Sequence, residues 1–186
     1  LPNTAPKQLW ADFKSAVSKA LDEVEKANLI EAWKTTRRKT EFYEWVLMPA
    51  VAKRLSLKLQ IERLRCDYTF LDPNGVPLIA VESENAHPTA WQEMESLCSL
   101  AAPLKVLVLS CDWQASEKDK YLLEWTDIIR KHHAVVSVDC LYAVVVGEWR
   151  GIDSCLIQYS FALIDTNGKV IEESYHPIAA TKNMNH

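Results

Sequence analysis

Only four glycines occur in 186 residues, and none belongs to a G-x-G-x-x-G or Walker-type loop. Low-complexity chains, dinucleotide binding and P-loop phosphate chemistry therefore lose their support. Long apolar runs are missing too: Leu141–Val146 is among the longest, far short of the roughly 20 residues that cross a bilayer. No basic-then-apolar leader opens the sequence, so the expectation is a cytoplasmic protein with no membrane partner. The five cysteines, Cys66, Cys98, Cys111, Cys140 and Cys155, form an odd set without a C-x-x-C pair. Several sit in apolar stretches, where a thiol packs as a small hydrophobe, and neither a zinc site nor a disulfide framework is expected.

What is present is an ordinary mixture for a folded chain, 48% hydrophobic and 25% charged, and the length suits one sizeable core. No repeat or long linker divides it, so residues 1–186 are expected to form a single domain. The formal net charge of −4 disfavours a bulk nucleic-acid binder, but it is unevenly spread. Between Glu31 and Arg65 nine bases (Lys34, Arg37, Arg38, Lys39, Lys53, Arg54, Lys58, Arg63, Arg65) face four glutamates (Glu31, Glu41, Glu44, Glu62), giving +5 there and −9 elsewhere. Such a window is either a solvated helix face or a rim for phosphates.

Apolar residues at three- and four-residue steps predict a helix from Lys7 to about Lys34, using Leu9, Phe13, Ala16, Val17, Ala20, Leu21 and Val24. A second helix is predicted from Thr40, as its cap, to Leu55, with Trp45, Met48, Ala52 and Leu55 inward and Pro49 marking a kink or break. Four residues before Trp45 on the same stripe lies Glu41, expected near the buried side. Leu64–Phe70 alternates as a half-buried strand, Asp72-Pro73-Asn74-Gly75 supplies a turn, and Pro77–Glu84 returns. Helical spacing resumes after Pro88 and stops at Pro103. Leu104–Leu109 then reads as a strand buried on both faces, Ser116–Lys131 as a helix, and Leu141–Val146 as another buried strand. A last hairpin joins Cys155–Ile164 to Lys169–Ser174 through Asp165-Thr166-Asn167-Gly168. The predicted class is α/β, a mixed central sheet flanked by helices, with an N-terminal helical segment and a C-terminal β-hairpin.

The hairpin around Asp72–Gly75 brings Asp67 opposite, or within about one residue of, Glu82. Glu82 and Glu84, two apart, share a face. Three carboxylates gathered in a partly dry place need a cation or a shared proton. Oxygen ligands of this kind suit Mg2+ or Mn2+, which a site of one or two carboxylates holds together with water and a substrate phosphate oxygen.

From Thr40 to Ser110 these residues resemble the PD-(D/E)XK phosphodiesterases, the restriction-endonuclease-like nucleases. That family's core is a helix carrying Glu, a meander carrying Asp and then Glu-x-Lys, a helix and a further strand. Glu41 lies at the helix position with Glu44 in reserve, Asp67 at the Asp, Glu82-Ser83-Glu84 at the Glu-x-Lys, and Leu104–Leu109 at the later strand. The resemblance implies a metal-dependent nuclease acting on DNA, with Asp67 and Glu82 as direct ligands of the ion, Glu84 as a further ligand or as the base that orients the water, and Glu41 as an outer ligand acting through water. Two departures stand: Glu84 replaces the usual Lys, as in some active restriction enzymes of the superfamily, and no turn signal marks the first arm of the meander within Leu57–Arg63.

The competing readings are plain structural ones. Asp67 would be a solvent-facing strand residue, Glu82 and Glu84 the polar face of an edge strand paired with Arg63 or Arg65, and Glu41 a first-turn acid favoured by the helix dipole. A nuclease fold without catalysis, serving as a nucleic-acid- or protein-binding regulatory module, is the alternative function, and an accessory protein binding through a sheet edge is a third. Lys105 and Gln92 are in reach of a role by sequence order alone. His132 and His133 diverge on a helix, and His87 and His176 precede prolines. Ser110-Cys111-Asp112 lacks an elbow motif. Trp113 and Trp149, in predicted loops, are candidates for contacting a partner or base. Oligomeric state is left open, a homodimer being one option.

Overall fold

The computed structural model describes residues 5–63, 65–111, 115–149 and 157–178. Four helical pieces come first: α1 (Pro6–Glu23), α2 (Lys26–Ala32), α3 (Thr36–Phe42) and α4 (Met48–Leu55), with a π turn at Tyr43–Leu47 between the last two. They lead into a meander, β1 (Lys58–Arg63), β2 (Cys66–Leu71) and β3 (Pro77–Glu84). Then follow α5 (Ala90–Cys98), β4 (Leu104–Cys111), α6 (Ala115–His133), β5 (Leu141–Trp149), β6 (Ile157–Ile164) and β7 (Val170–Ile178). The seven strands form one mixed sheet in chain order: β3, β4 and β5 are parallel neighbours, and all other pairs are antiparallel. The predicted α/β class with a mixed sheet flanked by helices is what the chain adopts.

Helices cover both faces. On one, Trp10, Phe13, Val17 and Leu21 of α1, with Tyr43, Leu47, Met48 and Val51, pack on Phe70, Val81, Val106, Val108, Val145 and Phe161. On the other, Met94 and Leu97 of α5 and Trp125 and Ile129 of α6 pack on Ala80, Leu107, Leu109, Val144 and Val146. Each large side chain so buried contributes about 1.5–3 kcal/mol, and β4, between two parallel neighbours, reads as a nearly continuous apolar run because it is buried along its whole length.

Two helix predictions need correction. The opening helix does not run to Lys34: Val24 and Glu25 are extended, at ψ 130° and 129°, and α2 starts afresh. The second begins earlier than Thr40. Thr35 is the cap, accepting from the Arg38 N–H, while Thr40 Oγ1 donates to the Thr36 carbonyl inside the helix. Pro49 does not end this helix. Just before it the Met48 N–H reaches back five residues to the Tyr43 carbonyl, so the widened turn lies where proline's missing N–H and bulky ring disturb the ladder. The extra residue rotates the stripe. Tyr43 and Leu47 are buried, Trp45 is 67% exposed, and Glu41 is pulled off the buried side.

The strand ahead of Asp67, which carried no turn signal, is β1. It pairs antiparallel with β2 from Lys58↔Leu71 to Arg63↔Cys66. The tight connection places Glu62 and Arg65 at φ 54° and 61°, left-handed positions filled without Gly or Asn. The two other turns follow their sequence signals. The Asp72 carboxylate accepts from the Asn74 and Val76 N–H groups, and that of Asp165 from those of Asn167 and Lys169. At Gly168, φ is 72° and a Cβ would lie 2.3 Å from the Thr126 carbonyl of α6, so glycine is required by both backbone and packing.

Candidate metal centre

The β2–β3 ladder ends at Tyr68↔Val81, and one step beyond it Asp67 and Glu82 face each other. Here side chains take over from the backbone. The Asp67 N–H donates to Glu82 Oε2 at 3.2 Å, and the Ser83 N–H donates to Asp67 Oδ2 at 2.8 Å. Glu82 is only 2% exposed, and its Oε1 is buried without a hydrogen-bond partner among the described residues. A buried carboxylate oxygen left unpaired costs free energy on the order of 1–3 kcal/mol or more, so this atom calls for a cation or a proton. Neither Arg63 nor Arg65 supplies it: Arg63 donates to Gln60 Oε1, and the guanidinium-paired edge-strand reading does not describe Glu82.

Burial dominates the electrostatics. It pushes the Glu82 carboxyl up to about 8, a smaller upward push coming from the charges of Asp67 and Glu93. Asp67 is raised too, first by burial and then by Glu62 and Glu84, against the Ser83 N–H that lowers it. Glu93, in the first turn of α5, is raised by burial and by Asp67 and Glu84. Beside them, the Cys66 thiol donates to the Val81 carbonyl at 3.2 Å, and burial and the Glu82 charge hold it up at about 11. Among the described residues no cationic side chain is a cause of the shifts of these three carboxyls.

Glu84 is less committed to the site than the sequence predicts. Its Oε1 accepts from the Asn85 and Ala86 N–H groups, each at 2.7 Å, so it caps the turn leaving β3. Glu41 is paired with Arg37 at 2.8 Å and lines an open groove of about 860 Å3 against α1 and α2. Of the two helix acids it is Glu44 whose charge acts, together with that of Asp67, on Tyr68. Glu93 was not singled out by sequence. It lies on a helix eleven residues beyond Glu82, and only the spatial placing of α5 against β3 brings it near.

As placed, no set of three His, Cys, Asp or Glu side chains among the described residues stands close enough to hold a metal ion. The donors that do converge fit a hard divalent cation in a narrower way: Asp67 and Glu82 offer facing carboxylates, one with a vacant buried oxygen, and Mg2+ requires only one or two such ligands beside water and phosphate oxygens.

The remaining candidates are placed elsewhere. Lys105 is 1% exposed near the start of β4. Its Nζ donates to the Cys98 carbonyl and the Tyr142 hydroxyl, both at 3.1 Å, so it does not stand in for the missing Lys. Gln92 is exposed on α5. His133 bonds the Tyr142 hydroxyl, His176 pairs with Asp22, and His87 meets the Tyr121 ring edge-on. Ser110 donates to the Tyr43 hydroxyl at 2.7 Å, a buried contact rather than a nucleophile's setting. Cys111 is buried, and Asp112, Trp113 and Cys155 lie outside the described residues. Trp149 ends β5, where the sequence predicts a loop. In the basic window Lys34 and Arg38 pair with Glu31, and Arg54 with Glu23. Lys39 reaches the Ser110 carbonyl at 3.2 Å, at the C-terminal end of β4. No described helix is long and apolar enough to cross a membrane.

The chain matches no model of a known protein family and no curated protein.

Proposed function

We propose that this chain is a metal-dependent phosphodiesterase that hydrolyses nucleic acid, with DNA as the substrate, Mg2+ or Mn2+ as its ion, and Asp67 and Glu82 as the ligands. The carrying observation is the unpartnered Glu82 oxygen, buried opposite Asp67 where the ladder gives way. Support comes also from the resemblance to the PD-(D/E)XK phosphodiesterases, since helix, meander, helix and strand follow one another in the same order around these acids. A bound divalent ion would supply an acidic water and charge neutralisation at the phosphate. The chain's own groups have separate parts. Two backbone N–H groups, of Asp67 and Ser83, hold one oxygen of each carboxylate and leave the other oxygen for a ligand. Glu84 fixes the turn after β3 through the Asn85 and Ala86 N–H groups. Bases that form no ion pair with an acid among the described residues, such as Lys39, would meet the phosphate backbone, making affinity fall with salt.

The test is cleavage of labelled duplex and single-stranded DNA with Mg2+ or Mn2+. Asp67→Ala and Glu82→Ala should each lower the rate by at least about a hundredfold, the order associated with losing transition-state charge stabilisation, while circular dichroism stays native. Full cleavage by both variants would remove the proposal.

A second reading, a nuclease-fold binding module without catalysis, is favoured by Glu84 at the Lys position and by the internal pairing of Lys34, Arg38 and Arg54. It predicts DNA retention in a mobility shift with no cleavage at any metal concentration.

A further inference from the structure

The open groove of about 860 Å3 that Glu41 lines runs between two helical walls. The α1–α2 corner gives it Ala20, Val24 and Ala32, and the run from α3 through the π turn into α4 gives it Phe42, Val46 and Ala50. Over this apolar floor the charged lining is almost of one sign, Glu23, Glu25, Glu31 and Glu41 against Arg38. Glu25 forms no ion pair among the described residues. The other three acids pair with Arg54, with Lys34 and Arg38, and with Arg37, and of these bases Arg38 alone lines the groove. Pairs open to solvent in this way contribute about 0–1 kcal/mol each, so the acids turn to a new cation at little cost. A second sign is Trp45. The unbroken stripe of the sequence would carry it inward with Met48, whereas the π turn presents it and Val46 at the lip of the groove, 67% and 44% exposed. An indole beside an apolar floor is the kind of side chain that anchors an interface, and π turns recur at functional sites.

We propose that this groove is the docking site for a basic amphipathic helix of a partner protein. Apolar side chains of that helix, spaced at i, i+3, i+4 and i+7, lie on Val24, Phe42 and Val46 with Trp45 closing over them, and its lysines or arginines meet Glu23, Glu25, Glu31 and Glu41. The charge chooses the occupant. Four carboxylates against one guanidinium repel a phosphate backbone or an acidic helix and attract a basic one, which both steers the encounter and fixes the partner. The groove owes nothing to Asp67 and Glu82 and serves whether or not they hold a metal ion.

Titration calorimetry on the whole chain tests this with a synthetic leucine–lysine peptide of about 15 residues, long enough to hold helical form, its leucines at i, i+3, i+4 and i+7. The same peptide with glutamate in place of lysine is the control. The lysine peptide should bind and the glutamate peptide should not. Trp45→Ala, a change at an exposed position that leaves the melting temperature near that of the wild type, should weaken lysine-peptide binding by at least about tenfold. Glu25→Gln should weaken it a few-fold and flatten its dependence on salt. Leu123→Ala, which removes an exposed apolar side chain of α6, should bind as the wild type does. Equal binding by Trp45→Ala and the wild type, tight binding of the glutamate peptide, or no heat at millimolar lysine peptide would each overturn the proposal. Two further outcomes would replace the occupant and overturn it as well: a dimer in sedimentation that Trp45→Ala returns to monomer, which seats a second copy in the groove, or duplex DNA that displaces the peptide and binds Trp45→Ala more weakly.

Discussion

Glu82 and Lys105 are both ionisable side chains buried on the α5 and α6 side of the sheet, yet they are provided for very differently. Lys105 has two acceptors at 3.1 Å, the Cys98 carbonyl and the Tyr142 hydroxyl, and its ammonium lies 4.9 Å from the Tyr142 ring centre. Burial lowers its pKa, and the Cys140 and Cys98 thiols beside it oppose that shift. Glu82 has one donor for two oxygens and acids for neighbours. A buried ionisable group with its bonds made is a piece of architecture, whereas one with a bond missing is met by a proton or, on the proposed metal reading, by an ion. Lys105 lies near the start of β4 and Glu82 near the end of the neighbouring parallel strand β3, with Ala80 level with Lys105 and Glu82 two residues further along.

The largest effect expected from this contrast is at the architectural end. Lys105→Ala should cost about 3 kcal/mol in urea unfolding, as other large-to-small core changes do. Lys105→Met, which keeps the volume and removes the charge, should cost far less. Mn2+ affinity should be unchanged in Lys105→Met, and a loss of metal binding there would break the distinction between the two ends.

Next is the pH response of Glu82. Its folded pKa is raised above the usual 4.5 to about 8, so the folded state holds the proton more tightly. The stability it contributes is fully present below about 4.5 and is lost as pH rises through about 8. Metal-free protein should therefore melt at progressively lower temperature across that interval, and Glu82→Gln should flatten the slope. A slope as steep in Glu82→Gln as in the wild type would contradict the assignment. The smallest effect sharpens the same comparison. Tyr142→Phe removes the hydroxyl that accepts from Lys105 and meets His133 Nε2 at 3.0 Å, and should cost about 1 kcal/mol with no change in metal uptake.

Much of this arrangement is legible in the sequence, for identifiable reasons. The facing of Asp67 and Glu82 follows from a strong turn signal at Asp72–Gly75 and a strand period of two, and β3 begins and ends where its residues predict. The first arm of the meander was hidden because its left-handed turn residues are Glu62 and Arg65, which carry no turn propensity. Glu93 was hidden because proximity across a sheet and a helix has no local pattern. Glu41 was misjudged for a third reason: a period of 3.6 presumes an unbroken α-helix, and the π turn at Tyr43–Leu47 adds a residue to the count.

That surplus residue also sets how the N-terminal helices sit on the sheet. Deleting one position between Tyr43 and Leu47 would restore plain α-helical winding and swing everything upstream by about 100° relative to α4. Trp33, which stacks edge-on with Tyr159 at 5.9 Å, would lose its seat. The packing of Trp33 against Phe42, Tyr43 and Tyr159 thus depends on the winding of that one turn.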